Sequence, residues 1–154
     1  MSARLRGATA ASLFALAACT TVANESAPDP AAALDEVVFR CRVQPVLVRQ
    51  CSYLACHGNA GSALRVYSPG KLRAVAPASI DDLGAALSDA EQHANFLSAA
   101  GFAFNTAPDD NFLLRKPLAS SAGGYEHLGG AIFGRGSTDY DNVHDWLTGN
   151  GACP

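Results

Sequence analysis

Apolar residues recur at helical spacing in three stretches of the chain. The first stretch has four apolar positions around an acidic turn: Leu34, Val37, Val38 and Cys41. Asp35 and Glu36 lie in that turn, where the helix dipole favours negative charge. The pattern predicts a helix from near Leu34 to about Cys41. Pro45 cannot continue this helix but suits the first turn of another, so we predict a second, short helix over residues 45–50.

The other two periodic stretches carry clear start and stop signals. Ser88 and Glu91 have the spacing of a capping box, and Gly101 can end the helix that they begin. Ser137 can cap the last helix, and Gly149 can end it. Their apolar faces contain Ala90, Ala94, Phe96 and Leu97 in the one helix, and Tyr140, Val143, Trp146 and Leu147 in the other.

Shorter elements and long loops fill the rest. Residues 71–75 are predicted as a single helical turn, and residues 112–114 as a short helix capped by Asp109 or Asp110 and stopped by Pro117. Residues 120–136 contain six glycines, so this stretch is predicted as a loop with little order of its own. The pattern predicts a mostly α-helical, single small domain with long loops.

The N-terminus has the features of a targeting segment. Arg4 and Arg6 precede an apolar stretch, residues 8–18, that is too short to span a bilayer. Leu16-Ala17-Ala18-Cys19 resembles the lipobox of bacterial lipoproteins, in which the cysteine is diacylated and becomes the new N-terminus. We therefore expect a signal peptide over residues 1–18, a lipidated Cys19, a flexible tether over residues 19–33 and the folded domain over residues 34–154. An ordinary cleaved signal peptide is the alternative.

This organisation predicts an exported lipoprotein that is anchored to a bacterial membrane and faces the periplasm or cell surface. Loss of the signal peptide leaves 9 basic and 14 acidic side chains, a formal net charge of −5. Because the domain is acidic and has no basic cluster, it is a poor candidate for binding nucleic acid.

The strongest chemical signal is Cys51-Ser52-Tyr53-Leu54-Ala55-Cys56-His57-Gly58. A histidine directly after a cysteine pair is the order needed for covalent haem attachment: both thiols add to the porphyrin vinyl groups, and the imidazole binds the iron. Four residues separate the cysteines here instead of two, and a longer spacer can still serve if it bulges outward. A local disulfide between Cys51 and Cys56 is the alternative. Zinc is less favoured, because no second paired cluster of ligands is visible.

Further segments extend this signal into a family resemblance. They are Leu113–Leu118 (Leu-Leu-Arg-Lys-Pro-Leu), Gly123–Gly130 (Gly-Gly-Tyr-Glu-His-Leu-Gly-Gly) and the final helix with Asp139-Tyr140 and Trp146-Leu147. Together with the cysteine motif, they resemble the small cytochrome c domains of exported bacterial proteins, including planctomycete-type ones, over most of residues 35–149. The resemblance implies a helical fold in which the first and last helices cross and help to close a haem pocket.

The expected function is therefore that of an electron-transfer c-type cytochrome with one haem c, a redox partner protein that the sequence does not name, and no catalysis of its own. Neither a nucleophile triad, a phosphate loop nor a carboxylate pair stands out to support an enzyme. The alternative function is a haem-free, disulfide-stapled lipoprotein module that binds a partner. If Cys51 and Cys56 hold haem and Cys19 holds lipid, Cys41 and Cys153 remain to form a disulfide in an oxidising compartment.

His57 is expected as the proximal iron ligand and His127 as the distal one. The one methionine of the chain is Met1, which leaves with the signal peptide. His93 and His144 lie in predicted helices and are expected to be surface or packing residues. His127 lies in the glycine-rich loop, whose order would otherwise lack a cause, and the resembling domains carry a histidine followed by glycines at this place. Water, or no sixth ligand at all, is the alternative.

Overall fold

The computed structural model describes residues 33–103 and 107–154. The predicted signal peptide, the lipidated Cys19 and all but the last residue of the predicted tether lie outside the described residues.

The described part of the chain is mostly helical, as predicted. Its α-helices are α1 (Glu36–Val38), α2 (Gln44–Gln50), α3 (Ile80–Leu83), α4 (Asp89–Ala100), α5 (Phe112–Arg115) and α6 (Thr138–Thr148). A π-helical segment (Phe39–Val43) joins α1 to α2, and 3₁₀ turns occupy Pro108–Asp110 and Ser120–Ala122. Within these residues the only strand-like pairing is one parallel bridge between Leu118 and Phe133.

The predicted second helix is present as α2, but the predicted break before Pro45 is wrong, because α1, the π-helical segment and α2 form one continuous helical run. Pro45 occupies one of the first positions of α2, directly after the π turn. Within this turn the Gln44 N–H bonds to the carbonyl of Phe39, five residues earlier. The wider turn accommodates a proline, which has no N–H to donate and would crowd a regular helix.

Both long helices begin and end where the sequence predicts. The Ser88 hydroxyl accepts the Glu91 N–H and the Glu91 carboxylate bonds back, which completes the capping box of α4. Ser137 caps α6, and Gly149 ends it with a positive φ of 72°.

The short elements differ from the prediction. Asn111, instead of Asp109 or Asp110, caps α5, because its side chain accepts the Leu113 N–H. Residues 71–75 are not helical, because the Ala74 N–H bonds to the Glu91 carboxylate and not to a backbone carbonyl. The helical turn of this region is α3, which begins after Ser79.

The helical framework, defined as the run from α1 to α2 together with α4 and α6, packs around three aromatic side chains. The Phe39 ring lies 5.6 Å from the Phe96 ring and 5.3 Å from the Trp146 ring, measured between centroids. The Trp146 indole N–H donates to the carbonyl of Asp35 at 2.9 Å, which fixes α6 against the start of α1. All three rings are buried, so this contact supplies much of the apolar burial of the domain.

The predicted disulfide between Cys41 and Cys153 is confirmed, with Cα atoms 5.8 Å apart. It joins the π-helical segment to the C-terminal end of the chain. The neighbouring Arg42 Nε donates to the carbonyl of Ala152 at 2.7 Å and holds the same two segments together. The disulfide and this hydrogen bond therefore hold the C-terminal segment against the π-helical segment that follows α1.

Candidate functional site

The cysteine motif forms a closed loop, which we call the CH loop (residues 51–58). Cys51 lies at the C-terminal end of α2, where its N–H bonds to the Leu47 carbonyl at 2.9 Å. The His57 N–H returns to the Cys51 carbonyl at 3.1 Å, and the Cys56 N–H bonds to the Tyr53 carbonyl at 2.8 Å. The four spacer residues therefore bulge outward, and the chain returns to the point at which it left α2.

Gly58 is needed for this closure. A Cβ atom at position 58 would lie 2.0 Å from the carbonyl oxygen of Ser52, a distance that no side chain can tolerate. The Gly58 N–H bonds to the Tyr53 carbonyl at 2.9 Å, so the same tight turn also holds the spacer residues in place.

Lys71 fixes the first half of the spacer from outside the CH loop. Its ammonium group donates to the Ser52 hydroxyl at 2.8 Å and lies 4.0 Å from the centre of the Tyr53 ring. Ser52 is fully buried, and its hydroxyl donates to the Val48 carbonyl of α2. This chain of contacts links the spacer to the framework, and sequence reasoning missed it because Lys71 is 19 residues from Ser52.

The second half of the spacer is held by Asn59 and Ser62. The Asn59 side-chain amide donates to the Cys56 carbonyl at 2.8 Å, and the Ser62 hydroxyl donates to the same carbonyl at 2.8 Å. Position 56 therefore has a fixed backbone, which is what a covalent attachment point requires.

Both cysteines of the CH loop are free thiols in the structure, whereas Cys41 and Cys153 are bonded. Burial raises the pKa of the Cys51 thiol to about 11, with smaller contributions from Cys56 and Asp139. At neutral pH Cys51 is therefore an uncharged thiol, which is a poor nucleophile for enzymatic thiol chemistry.

His57 is oriented by the segment that follows the CH loop. Its Nδ1 lies 2.9 Å from the carbonyl of Leu64, and because a carbonyl only accepts, Nδ1 carries the proton. Burial lowers the pKa of His57, the bond to Leu64 opposes this effect, and nearby His127 lowers the pKa further. The ring is therefore neutral at pH 7 and has its free lone pair on Nε2, the usual arrangement of a metal-bound histidine with a backbone partner.

His127 lies in a second loop, which we call the His127 loop (residues 117–133). Protein contacts order this loop in its middle and join its two ends. The Tyr125 N–H bonds to the Arg115 carbonyl at 2.9 Å, and the Ile132 N–H bonds to the Pro117 carbonyl at 2.7 Å. The expectation that only a metal bond could order this loop is therefore wrong, although His127 itself stays a predicted ligand.

The position of the His127 ring requires a glycine at position 129. A Cβ atom at position 129 would lie 2.9 Å from its Cε1 and 3.2 Å from its Nδ1, so Gly129 leaves the space that the ring occupies. The Nδ1 atom lies 3.5 Å from the Gly130 carbonyl, at the long end of hydrogen bonding.

The fold brings the two predicted iron ligands together, although they are 70 positions apart in sequence. The His57 and His127 rings are nearly parallel, with an interplanar angle of 9°, and their centroids are 6.0 Å apart. A histidine nitrogen lies about 2.0 Å from a bound metal and about 1.2 Å from its own ring centre, so two imidazoles on opposite sides of one metal have centroids about 6.4 Å apart. The measured centroid separation is therefore close to the value for two imidazoles that share one metal, and two nitrogen ligands are the number that a haem iron takes from the protein.

The donor set does not fit zinc. Among the described residues, no group of three or more histidine, cysteine, aspartate or glutamate side chains is arranged to hold a metal ion. A structural zinc site needs four such ligands, whereas an iron in a porphyrin needs two from the protein.

The two remaining histidines of the described chain contact other parts of the structure. His93 is half exposed and contacts the Glu36 carboxylate at 2.8 Å. His144 stacks on the Tyr140 ring with centroids 6.0 Å apart. Neither contact involves a residue of the CH loop or the His127 loop.

Comparisons of the chain with protein-family models, with curated proteins and with solved structures found no match. In residues 33–103 and 107–154, no helix is both long and apolar enough to cross a membrane.

Proposed function

We propose that this protein is an electron-transfer c-type cytochrome that holds one haem covalently between the CH loop and the His127 loop. The observation that carries the proposal is the parallel pair of rings, His57 and His127, with centroids 6.0 Å apart. This pair stands beside two thiols that the structure leaves unpaired.

Each residue of the site has a defined task. The Cys51 and Cys56 thiols would hold the haem, each through a thioether formed by addition of its S–H across one vinyl double bond. The Leu64 carbonyl keeps the proton of His57 on Nδ1 and directs the Nε2 lone pair to the metal. His127 supplies the second imidazole. A haem bound in this way supplies a one-electron iron couple, and the protein contributes its axial ligands, orientation and burial.

Two axial histidines determine the electronic state that we expect. Both are strong-field nitrogen ligands, so an iron that they hold would be low-spin and would offer no open position to a substrate. Neither has the potential-raising effect of a methionine sulfur, which suits electron transfer at the lower end of the cytochrome c range. For this reason we propose an electron carrier and not an enzyme.

We further propose that the mature protein is exported and anchored through a lipid on Cys19. The Leu16-Ala17-Ala18-Cys19 sequence supports the anchor. The disulfide between Cys41 and Cys153 supports export, because such bonds persist in oxidising compartments, where bacterial c-type haem is also attached.

The test is expression with a competent haem-maturation system. We expect a coloured protein with a mass one haem above that of the polypeptide and a low-spin spectrum. Replacement of both Cys51 and Cys56 by serine should abolish covalent haem. His127→Ala should give a high-spin iron that binds carbon monoxide, whereas His93→Ala, a control at a half-exposed histidine, should leave the spectrum unchanged.

A colourless wild-type protein that folds, with Cys51 and Cys56 joined to each other, would refute the cytochrome. That result would instead favour the haem-free, disulfide-stapled module. One observation favours this second candidate: hydrogen bonds from protein groups alone close the CH loop and join the ends of the His127 loop.

A further inference from the structure

Arg65 differs from the other arginines of the described chain in what its side chain contacts. Five of those arginines form ion pairs with carboxylates: Arg40, Arg49, Arg73, Arg115 and Arg135. Arg42 donates to the Ala152 carbonyl and to the Asn142 side chain. Arg65 has no carboxylate within ion-pair distance among the described residues, and its Nε is buried without a hydrogen-bond partner. It is the one arginine here with an unsatisfied buried donor.

The backbone of Arg65 is fixed beside His57. The preceding residue, Leu64, holds the His57 Nδ1, and the N–H of the following residue, Val66, bonds to the His57 carbonyl at 2.8 Å. The Arg65 N–H itself donates to the Ser98 hydroxyl of α4 at 2.8 Å. Because these contacts hold both neighbours of Arg65 against His57, the side chain starts from a rigid position next to the proposed haem.

The side chain is also restrained. The guanidinium carbon of Arg65 lies 5.4 Å from the centre of the Tyr67 ring, within the range of a cation–π contact. A buried donor without an acceptor is unfavourable, and a positive charge makes an anionic acceptor the best partner. A negatively charged oxygen is therefore the expected hydrogen-bond partner of the Arg65 Nε–H.

We propose that the Arg65 Nε–H binds a propionate carboxylate of the haem. This inference rests on the proposed function, since haem carries two propionates and the described residues offer Arg65 no carboxylate of their own. The planar guanidinium group matches the geometry of a carboxylate better than an ammonium group does. Arg65 thus anchors the acidic edge of the cofactor, while Cys51 and Cys56 anchor its vinyl groups.

A free carboxylate would have the same chemistry and must be distinguished from the haem. Arg65 also borders an open cleft of about 390 Å³ between residues 62–65 and α4. A small organic acid bound in this cleft would satisfy Arg65 without touching the haem.

The experiment uses the haem-loaded protein and compares Arg65→Gln with Arg40→Gln. Both variants remove one positive charge, but Arg40 already has Glu36 and Asp89 as partners. We measure the midpoint potential by spectroelectrochemistry and the propionate-bending mode by resonance Raman spectroscopy. Loss of a cation bound to a propionate leaves its negative charge uncompensated, which stabilises ferric iron. Arg65→Gln should therefore have a more negative midpoint potential than Arg40→Gln and a shifted propionate mode, with Arg40→Gln unchanged in that mode.

Arg65→Lys keeps the proposal testable if Arg65→Gln does not fold. This variant keeps the charge but loses the Nε–H, so its propionate mode should shift while its potential stays close to that of the wild type. Equal potentials and equal propionate modes in Arg65→Gln and Arg40→Gln would overturn the proposal, as would an unshifted mode in Arg65→Lys.

A titration of the wild type with acetate separates the two sources of carboxylate. Binding of acetate that is lost in Arg65→Gln, together with an unchanged propionate mode, would assign Arg65 to a free acid and overturn the haem contact. Failure of the proposed function looks different from all these results, because the wild-type protein would then carry no haem.

Discussion

The helical framework and the two loops of the site are stabilised by different kinds of contact. In the framework, buried side chains such as Phe39 and Trp146 pack against one another, and a disulfide joins distant parts of the chain. In the CH loop and the His127 loop, polar side chains and backbone groups bond to one another around the histidines. Apolar side chains such as Leu54 and Leu128 are exposed there, and the ends of the His127 loop, at Leu118 and Phe133, reach the core. Changes in the framework should therefore alter folding stability, whereas changes in the loops should alter haem attachment.

The largest effect should come from removal of the disulfide. Replacing Cys41 and Cys153 by serine releases a crosslink between residues 112 positions apart. The chain-entropy model then predicts a loss of about 4 to 5 kcal/mol in the free energy of unfolding, through a larger entropy of the unfolded chain. Denaturant unfolding of the double variant against the wild type measures this loss.

The same variant should leave the haem spectrum of the folded protein unchanged, since neither cysteine belongs to the CH loop or the His127 loop. A loss below about 1 kcal/mol would show that the aromatic packing alone holds the framework.

A smaller loss should follow from Glu91→Gln. The Glu91 carboxylate is almost fully buried and bonds to the Arg73 guanidinium at 2.9 Å. Glutamine keeps the hydrogen-bonding role in the capping box but removes the charge that faces Arg73. Loss of the charge that faces Arg73 should therefore lower the free energy of unfolding, by less than loss of the disulfide does.

This pair also predicts how stability depends on pH. The bond from Arg73, with further bonds from Ala74 and Ser88, lowers the pKa of Glu91 from an ordinary value of 4.5 to about 2. Because the folded pKa lies below the unfolded pKa, this stabilisation is present above pH 4.5 and is lost as the pH falls toward 2. Between pH 4.5 and pH 2, the free energy of unfolding of Glu91→Gln should therefore change less with pH than that of the wild type. Asp89→Asn, at a highly exposed carboxylate, should leave the curve like that of the wild type.

The smallest effect on folding should come from Lys71→Met. Its loss removes the ammonium group from the Ser52 hydroxyl and from the Tyr53 ring. A partly exposed cation–π contact contributes about 0.5 to 1 kcal/mol, so the domain should stay folded. The spacer of the CH loop, however, loses its outer support, and we expect a larger fraction of protein whose haem is attached through a single cysteine.

Mass spectrometry of haem peptides counts the attached cysteines. Lys116→Met is the matched control, because Lys116 contacts Glu126 and Tyr125 of the His127 loop and not the spacer. Equal fractions of singly attached haem in the two variants would argue against a role for Lys71 in holding the spacer.

Sequence reasoning succeeded where a local pattern carries the structure. The caps Ser88 and Ser137 act on amides within three residues, so their helices could be placed from the sequence. The disulfide could be predicted because Cys41 and Cys153 remained after other tasks were assigned to Cys19, Cys51 and Cys56.

Sequence reasoning failed where a residue depends on a distant partner. Residues 71–75 are not helical because Glu91, far along the chain, takes the Ala74 amide. The π turn that accommodates Pro45 has no sequence signature of its own. Arg65 and Lys71 went unnoticed because their significance lies in what they contact in space, namely a buried donor without an acceptor and the spacer of the CH loop.

The disulfide also has a mechanical consequence. The bond between Cys41 and Cys153 lies close to both ends of the described chain, 112 residues apart in sequence. A pulling force applied between residues 33 and 154 passes through the first helical turns, the sulfur bridge and Pro154, and bypasses everything between the two cysteines. About 380 Å of extended chain, at roughly 3.4 Å per residue, is thereby shielded from tension. Force applied at the two ends of the described chain therefore does not stretch the loops that carry His57 and His127.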